Sequence, residues 1–210
     1  MTPLQRYIAE EVATDHVDGL LSRREAIRRL ALLGIGYSAL AIDLLSGDGG
    51  TARFADPAEA TAALSKIPPE QALADLESGI AELQRRIPDK KVAVVGFCMG
   101  GGFVWRLLAA GVPQLSAAVP FYGPTPETPN FSGSKSVAVL AFYGERDQRV
   151  NATKPVARAA LAQAGLVYDI VTEPNADHAF FNDTNPDRYD GAAAEDAWRR
   201  MQDWFRRYVD

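Results

Sequence analysis

The 210-residue sequence contains one cysteine, Cys98, and two histidines, His16 and His178. A lone thiol excludes an intrachain disulfide and any multi-cysteine metal site, and two imidazoles would need carboxylates to complete a zinc cluster. No stretch of about eighteen uninterrupted apolar residues occurs, which argues against a membrane span. Charge of neither sign is massed. Lys plus Arg number 22 against 27 Asp plus Glu, a net charge of −5 with no like-charge block. That balance argues against a nucleic-acid partner and leaves neutral or small-molecule substrates open. Repeats, low-complexity tracts and an interdomain linker are also missing. What remains, 47% hydrophobic against 23% charged residues, is the composition of a globular chain with enough apolar side chains for a sizeable core.

The most apolar stretch, Leu30 to Leu45, follows Arg23-Arg24 and Arg28-Arg29. One reading is a twin-arginine export leader with a loose cleavage site at Ala39-Leu40-Ala41. The other is an amphipathic helix from Ser22 to Leu33 with solvated arginines, opened by the capping box of Ser22 and Glu25. Cleavage at Ala41 would cut into an apparent core strand, and Glu10, Glu11, Asp15 and Asp18 precede the arginines. The expected location is therefore cytoplasmic, with periplasmic as the alternative. Thr2-Pro3-Leu4-Gln5 predicts a helix from Pro3 toward Ala13. Residues 1–36 accordingly read as a helical, leader-like segment and 37–210 as the folded domain.

Within that domain, Tyr37 to Leu45 (YSALAIDLL) is short and apolar and ends in Ser46-Gly47-Asp48-Gly49-Gly50, which predicts a buried strand and a loop. The glycine cluster lacks the lysine and spacing of a phosphate loop. Short and long helices are expected from Asp56-Pro57 and from Pro69, the second with Leu73, Leu76, Ile80, Leu83 and Ile87 at steps of three and four. Strands then alternate with helices: Lys91 to Gly96, helix Met99 to Ala110, strands Ser116 to Tyr122 and Val137 to Tyr143, helix Thr153 to Ala164, strand Val167 to Thr172, helix Gly191 to Tyr208. The last helix carries an aromatic stripe through Trp198, Trp204, Phe205 and Tyr208 that reads as core packing. Strands such as VAVVG and VAVLAFY are apolar on both faces, as covered parallel strands must be. The class is α/β, a mostly parallel sheet flanked by helices.

The chemical signal lies in Val92-Ala93-Val94-Val95-Gly96-Phe97-Cys98-Met99-Gly100-Gly101. A strand runs straight into a helix through G-x-C-x-G-G, the nucleophile-elbow pattern with cysteine in place of serine. On so sharp a turn the residues two before and two after the nucleophile come close together, and Gly96 and Gly100 meet that demand. The helix beginning at Met99 points its N-terminal amides at the thiol, where they favour a thiolate and a developing oxyanion. A nucleophile of this kind needs a base and an orienting acid, in the chain order nucleophile, acid, histidine. Asp147 follows one strand and His178 follows the next, both beyond carboxyl ends, where open α/β sheets place their ligands. Asp147 could instead cap the helix near Thr153, and Glu145 or Asp177 could be the acid. His16 reads as a surface residue.

These stretches, with AIDLLSGDGGT, AAVPFYG, FYGERD, HAFFNDTNP and the aromatic C-terminal helix, make the chain from Tyr37 onward resemble the dienelactone hydrolase (carboxymethylenebutenolidase) family of α/β-hydrolases. The resemblance implies Cys98 as nucleophile, His178 as base, Asp147 as its partner and the Met99 amide as one oxyanion contact. It implies ester or lactone cleavage through an acyl-thioester, and no metal or organic cofactor. Family members carry three strands before the one resembling Tyr37 to Leu45. This chain shows no counterpart of them, nor of the loop that gives a second oxyanion amide and a glutamate near the thiol. The fold is therefore expected to be N-terminally incomplete, with the helical segment appended. Tyr37 to Leu45 would then either pair beside Val92 to Gly96 or leave a sheet edge for the N-terminal helices or another chain, a route to a homo-oligomer. The substrate arginine that some members place after the histidine is replaced by Ala179-Phe180-Phe181-Asn182. A weakened or inactive relative acting in binding or assembly is the competing function.

Overall fold

The computed structural model describes residues 37–210. The expected N-terminal helices, and His16 with them, lie outside the described residues. The elements run α1 (Pro57–Leu64), α2 (Pro69–Arg86), β1 (Val92–Phe97), α3 (Met99–Ala110), β2 (Leu115–Phe121), β3 (Ala138–Gly144), α4 (Gln148–Asn151), α5 (Lys154–Ala164), β4 (Tyr168–Glu173) and α6 (Gly191–Tyr208). The elements expected from Asp56 onward are present, with ends shifted by a residue or so. The short α4 is added to them. The chain forms two compact units, one of the described residues up to Gly79 plus Thr184–Pro186, the other of Ile80–Asp183 and Asp187–Asp210.

In the second unit the four strands lie in the order β1-β2-β3-β4, each parallel to its neighbour. A parallel pair needs a crossover connection, and α3 supplies it between β1 and β2 as α5 does between β3 and β4. Burial follows position. Every residue of the inner strand β3 is buried and all of β2 except Ser116, whereas β1 and β4, at the two ends of the order, are mostly half-buried. VAVVG is thus less enclosed than its composition suggests.

α3 buries Val104, Trp105, Leu107 and Leu108, and the indole of Trp105 donates to the carbonyl of Gly123 at 3.2 Å. α6 buries Ala193, Ala194, Ala197, Met201 and Phe205, while Trp204 donates to the carbonyl of Ala138 at 3.3 Å. Of the aromatic stripe Phe205 alone is buried, worth about 2–3 kcal/mol, while Trp198, Trp204 and Tyr208 are half-buried, so the stripe is only in part the core packing that its spacing predicts. α6 starts sharply because Asp190 caps it, its carboxylate accepting from the amides of Ala192 and Ala193 at 3.1 and 3.0 Å.

In the first unit Tyr37 to Leu45 corrects the expectation. The segment is irregular chain, not a strand, and only Leu45 in it is buried. Its apolar side chains meet a helix in place of neighbouring strands: Ile42 and Leu40 lie over Gly79 of α2, where a Cβ would stand 2.3 Å from Ile42 Cδ1. An apolar run this short cannot by itself tell a strand from irregular chain. Asp43 then ties the following loop, its carboxylate accepting from the amides of Leu45 at 2.9 Å and Thr51 at 2.8 Å and from the Thr51 hydroxyl at 2.6 Å. The glycine cluster is a loop of 3-10 turns at Ser46–Asp48 and Thr51–Arg53. Among the described residues β1 pairs with β2 alone, and Tyr37 to Leu45 is not a strand beside Val92 to Gly96.

Candidate active site

Cys98 sits between β1 and α3 with φ +52° and ψ −113°, a conformation that costs a non-glycine residue about 1–3 kcal/mol and is held only where the surroundings impose it. The surroundings are backbone packed on backbone. A Cβ at Gly96 would stand 2.2 Å from the carbonyl oxygen of Gly100. One at Gly101 would stand 2.5 Å from that of Phe121, and one at Gly123 2.2 Å from the carbonyl carbon of Gly101. The close approach therefore rests on Gly96, Gly101 and Gly123. Gly100 contributes its main chain, and a Cβ on it would meet nothing within 4 Å. The amide of Cys98 donates to Phe121 O at 3.1 Å and its carbonyl accepts from Gly102 N at 3.1 Å. The half-buried thiol thus stands at the N-terminus of α3, and Met99 follows as the helix's first residue.

Asp147 caps α4, and its two carboxylate oxygens divide the work. Oδ1 accepts from the amide of Val150 at 3.1 Å, and Oδ2 lies 2.5 Å from Nδ1 of His178. Asp147 does not cap the helix near Thr153, where Thr153 itself holds the N-cap position; it caps the added α4 and contacts His178 as well. Nε2 of His178 lies 3.2 Å from Sγ of Cys98. The three residues, 80 positions apart at their extremes, form one unbroken relay. The thiol's hydrogen bond raises the His178 pKa above its ordinary value; burial opposes this and Asp147 reinforces it. The imidazole is thus within hydrogen-bond reach of the thiol.

The two loops carrying acid and histidine are joined along their length. Glu145 N donates to Glu173 O at 3.0 Å and Arg146 N to Ala176 O at 2.9 Å. The Glu145 carboxylate accepts from Asn175 N at 2.7 Å, at a residue whose φ is +58°. Arg146 lies 3.9 Å from Asp177. Gly144 permits the approach, since a Cβ there would stand 2.6 Å from Asp177 O. Glu145 and Asp177 are thus spoken for by these contacts, and Asp147 is the acid in contact with the histidine. Sequence reading missed Tyr122, whose ring meets the imidazole edge-on with centroids 5.2 Å apart. An aromatic residue closing β2 at its carboxyl end was the available signal. Among the described residues no cluster of three or more His, Cys, Asp or Glu is arranged to hold a metal ion, and no helix is long and apolar enough to cross a membrane.

The model of the dienelactone hydrolase family matches residues 17–209. A "putative carboxymethylenebutenolidase" of Escherichia coli (strain K12) is 36% identical over 197 residues, covering 88% of this chain and 71% of its own. A protein of the same description from Methylorubrum extorquens is 33% identical over 198 residues, covering 88% and 67%. Among solved structures, a "putative dienelactone hydrolase" from Klebsiella pneumoniae superposes with a TM-score of 0.73 at 34% identity, over 88% of this chain and 80% of that one. A dienelactone hydrolase-like promiscuous phosphotriesterase from metagenomic libraries shares the fold at the same TM-score and 24% identity, over 94% and 84%.

Proposed function

The chain belongs to the dienelactone hydrolase family, and from that premise we propose that it cleaves small carboxylic esters or lactones with Cys98 as nucleophile. The observation that carries this reading is the relay from Asp147 through His178 to the thiol, at 2.5 and 3.2 Å. Sγ of Cys98 attacks the carbonyl carbon while the thiol proton passes to Nε2 of His178. Negative charge gathers on the carbonyl oxygen, for which the amide of Met99 is the proposed donor, aided by the N-terminal end of α3. The ester C–O bond then breaks and the leaving oxygen takes the proton from Nε2, leaving an acyl-thioester on Cys98. In a lactone the leaving hydroxyl stays tethered to the acyl group. Water gives a proton to Nε2 and attacks the thioester carbonyl. The C–S bond breaks, the carboxylic acid departs and the thiol is restored. Asp147 holds the proton on Nδ1 throughout, so that Nε2 faces the sulfur.

Hydrolysis of p-nitrophenyl acetate by the intact chain, by Cys98→Ala and by His178→Ala tests the reading. Turnover is expected in the first and loss of at least about a thousandfold in both variants. Equal rates in all three would contradict it. A folded protein with no turnover on any activated ester would fit a role in binding or assembly.

A further inference from the structure

Tyr122 follows β2 directly and has a φ of +36°. For a bulky side chain that is an outlier, and outliers of this kind gather where a site demands them. The residue is fixed from several directions. Its amide donates to Phe142 O at 2.7 Å, and its ring packs against Phe97, Phe121 and Phe180 with centroids 6.2, 6.0 and 5.3 Å away. Only 1% of the residue is exposed. The neighbouring Phe121 carbonyl takes the Cys98 amide, so this short stretch holds the elbow on one side and reaches the histidine on the other.

The contact with His178 is the polar exception in an aromatic shell, with centroids 5.2 Å apart and planes at 63°. Hydrogen bonds at Nδ1 and Nε2 define an axis through the imidazole, and the terminal torsion of histidine is broad. Rotation about that torsion, the Cβ–Cγ bond, would swing both nitrogens out of line with their partners. We infer that Tyr122 is a positioning residue: its ring, aimed by the strained backbone, fixes the plane of the His178 imidazole so that both nitrogens stay in line with Asp147 and Cys98. This rests on the proposed roles of Cys98 and His178. Burial, and next the charge of Cys98, push the phenol's pKa upward. The hydroxyl stays protonated over the working range, and the ring is a neutral wall.

The test compares Tyr122→Leu, which removes the ring, with Tyr122→Phe, which restores it without the hydroxyl. Steady-state rates on p-nitrophenyl acetate are paired with the pH dependence of Cys98 alkylation by iodoacetamide, with His178→Ala as the reference for a thiol without its base. Tyr122→Leu should lose about ten- to a hundredfold in kcat with little change in KM, the scale of a small misplacement of reacting groups. Its alkylation profile should move toward that of His178→Ala. Tyr122→Phe should recover both. If Tyr122→Leu does not fold, Tyr122→Met takes its place, and broadening of the His178 Nδ1 proton resonance in Met but not in Phe supports the same conclusion. A folded ring-less variant with the parental profile would overturn the proposal, as would a Phe variant as impaired as Leu. An intact chain whose profile already matches that of His178→Ala would instead sink the proposed pairing of histidine and thiol.

Discussion

At the scale of single residues the site depends on atoms that serve two partners. Asp147 is the clearest case, with Oδ1 on the Val150 amide and Oδ2 on the imidazole. Its two functions are separable by substitution. Asp147→Asn can keep an oxygen for the cap but presents an amide donor to Nδ1–H. Turnover should fall about a thousandfold or more while the thermal midpoint barely moves. Asp147→Ala should lose the same turnover and, in addition, about 1 kcal/mol of stability from the missing cap. Calorimetry beside steady-state kinetics checks both, and similar stability in the two variants would show that the cap is idle. That Cys98, His178 and Asp147 come together was legible because a glycine-flanked elbow and two strand-end loops narrow the choice to few residues. Tyr122 and the Glu145 clamp were not, because a positive φ and a carboxylate bonded to a loop amide leave no mark in spacing.

At the scale of elements, helices and parallel strands from Asp56 onward were legible from the apolar period and from starts such as Asp56-Pro57, whereas the Asp190 cap emerges only in three dimensions. Tyr37 to Leu45 was misread because a short apolar run fixes neither its conformation nor its neighbour, and only Leu45 of it is buried. The end of β4 carries a consequence that only three dimensions reveal. Glu173 is buried, and among the described residues its Oε1 has no hydrogen-bond partner. Burial, with Asp196 and then Asp190 of the α6 region against the counter-pull of Arg200, raises its pKa to about 7. The folded chain therefore keeps a proton between about 4.5 and about 7 that the unfolded chain has lost. Stability from this group is present at low pH and falls as pH rises through that window. Glu173→Gln should match the parent near pH 5 and exceed it at pH 8 by on the order of 2 kcal/mol. The raised pKa of His178 acts in the same direction, so urea midpoints of parent and variant must be compared at each pH. A variant no more stable at pH 8 would show that the carboxylate finds solvent or a partner.

At the scale of the whole molecule, the α/β class and the family were legible from the alternation of strands and helices and from the elbow. The sheet's extent was not, since strand order depends on contacts distant in sequence. Among the described residues the sheet has four parallel strands, and the relay spans the loops at the carboxyl ends of β1, β3 and β4. Strand ends so placed bring together groups far apart in the chain, and no single element holds the proposed chemistry alone. The central claim is that this assembly makes Cys98 a covalent nucleophile. Brief mixing with p-nitrophenyl acetate, acid quenching and peptide mass spectrometry test it most directly. One acetyl group is expected on the peptide containing Cys98, appearing within the first turnover and absent from Cys98→Ala. Hydrolysis proceeding with no acetyl on that peptide, or undiminished in Cys98→Ala, would contradict it.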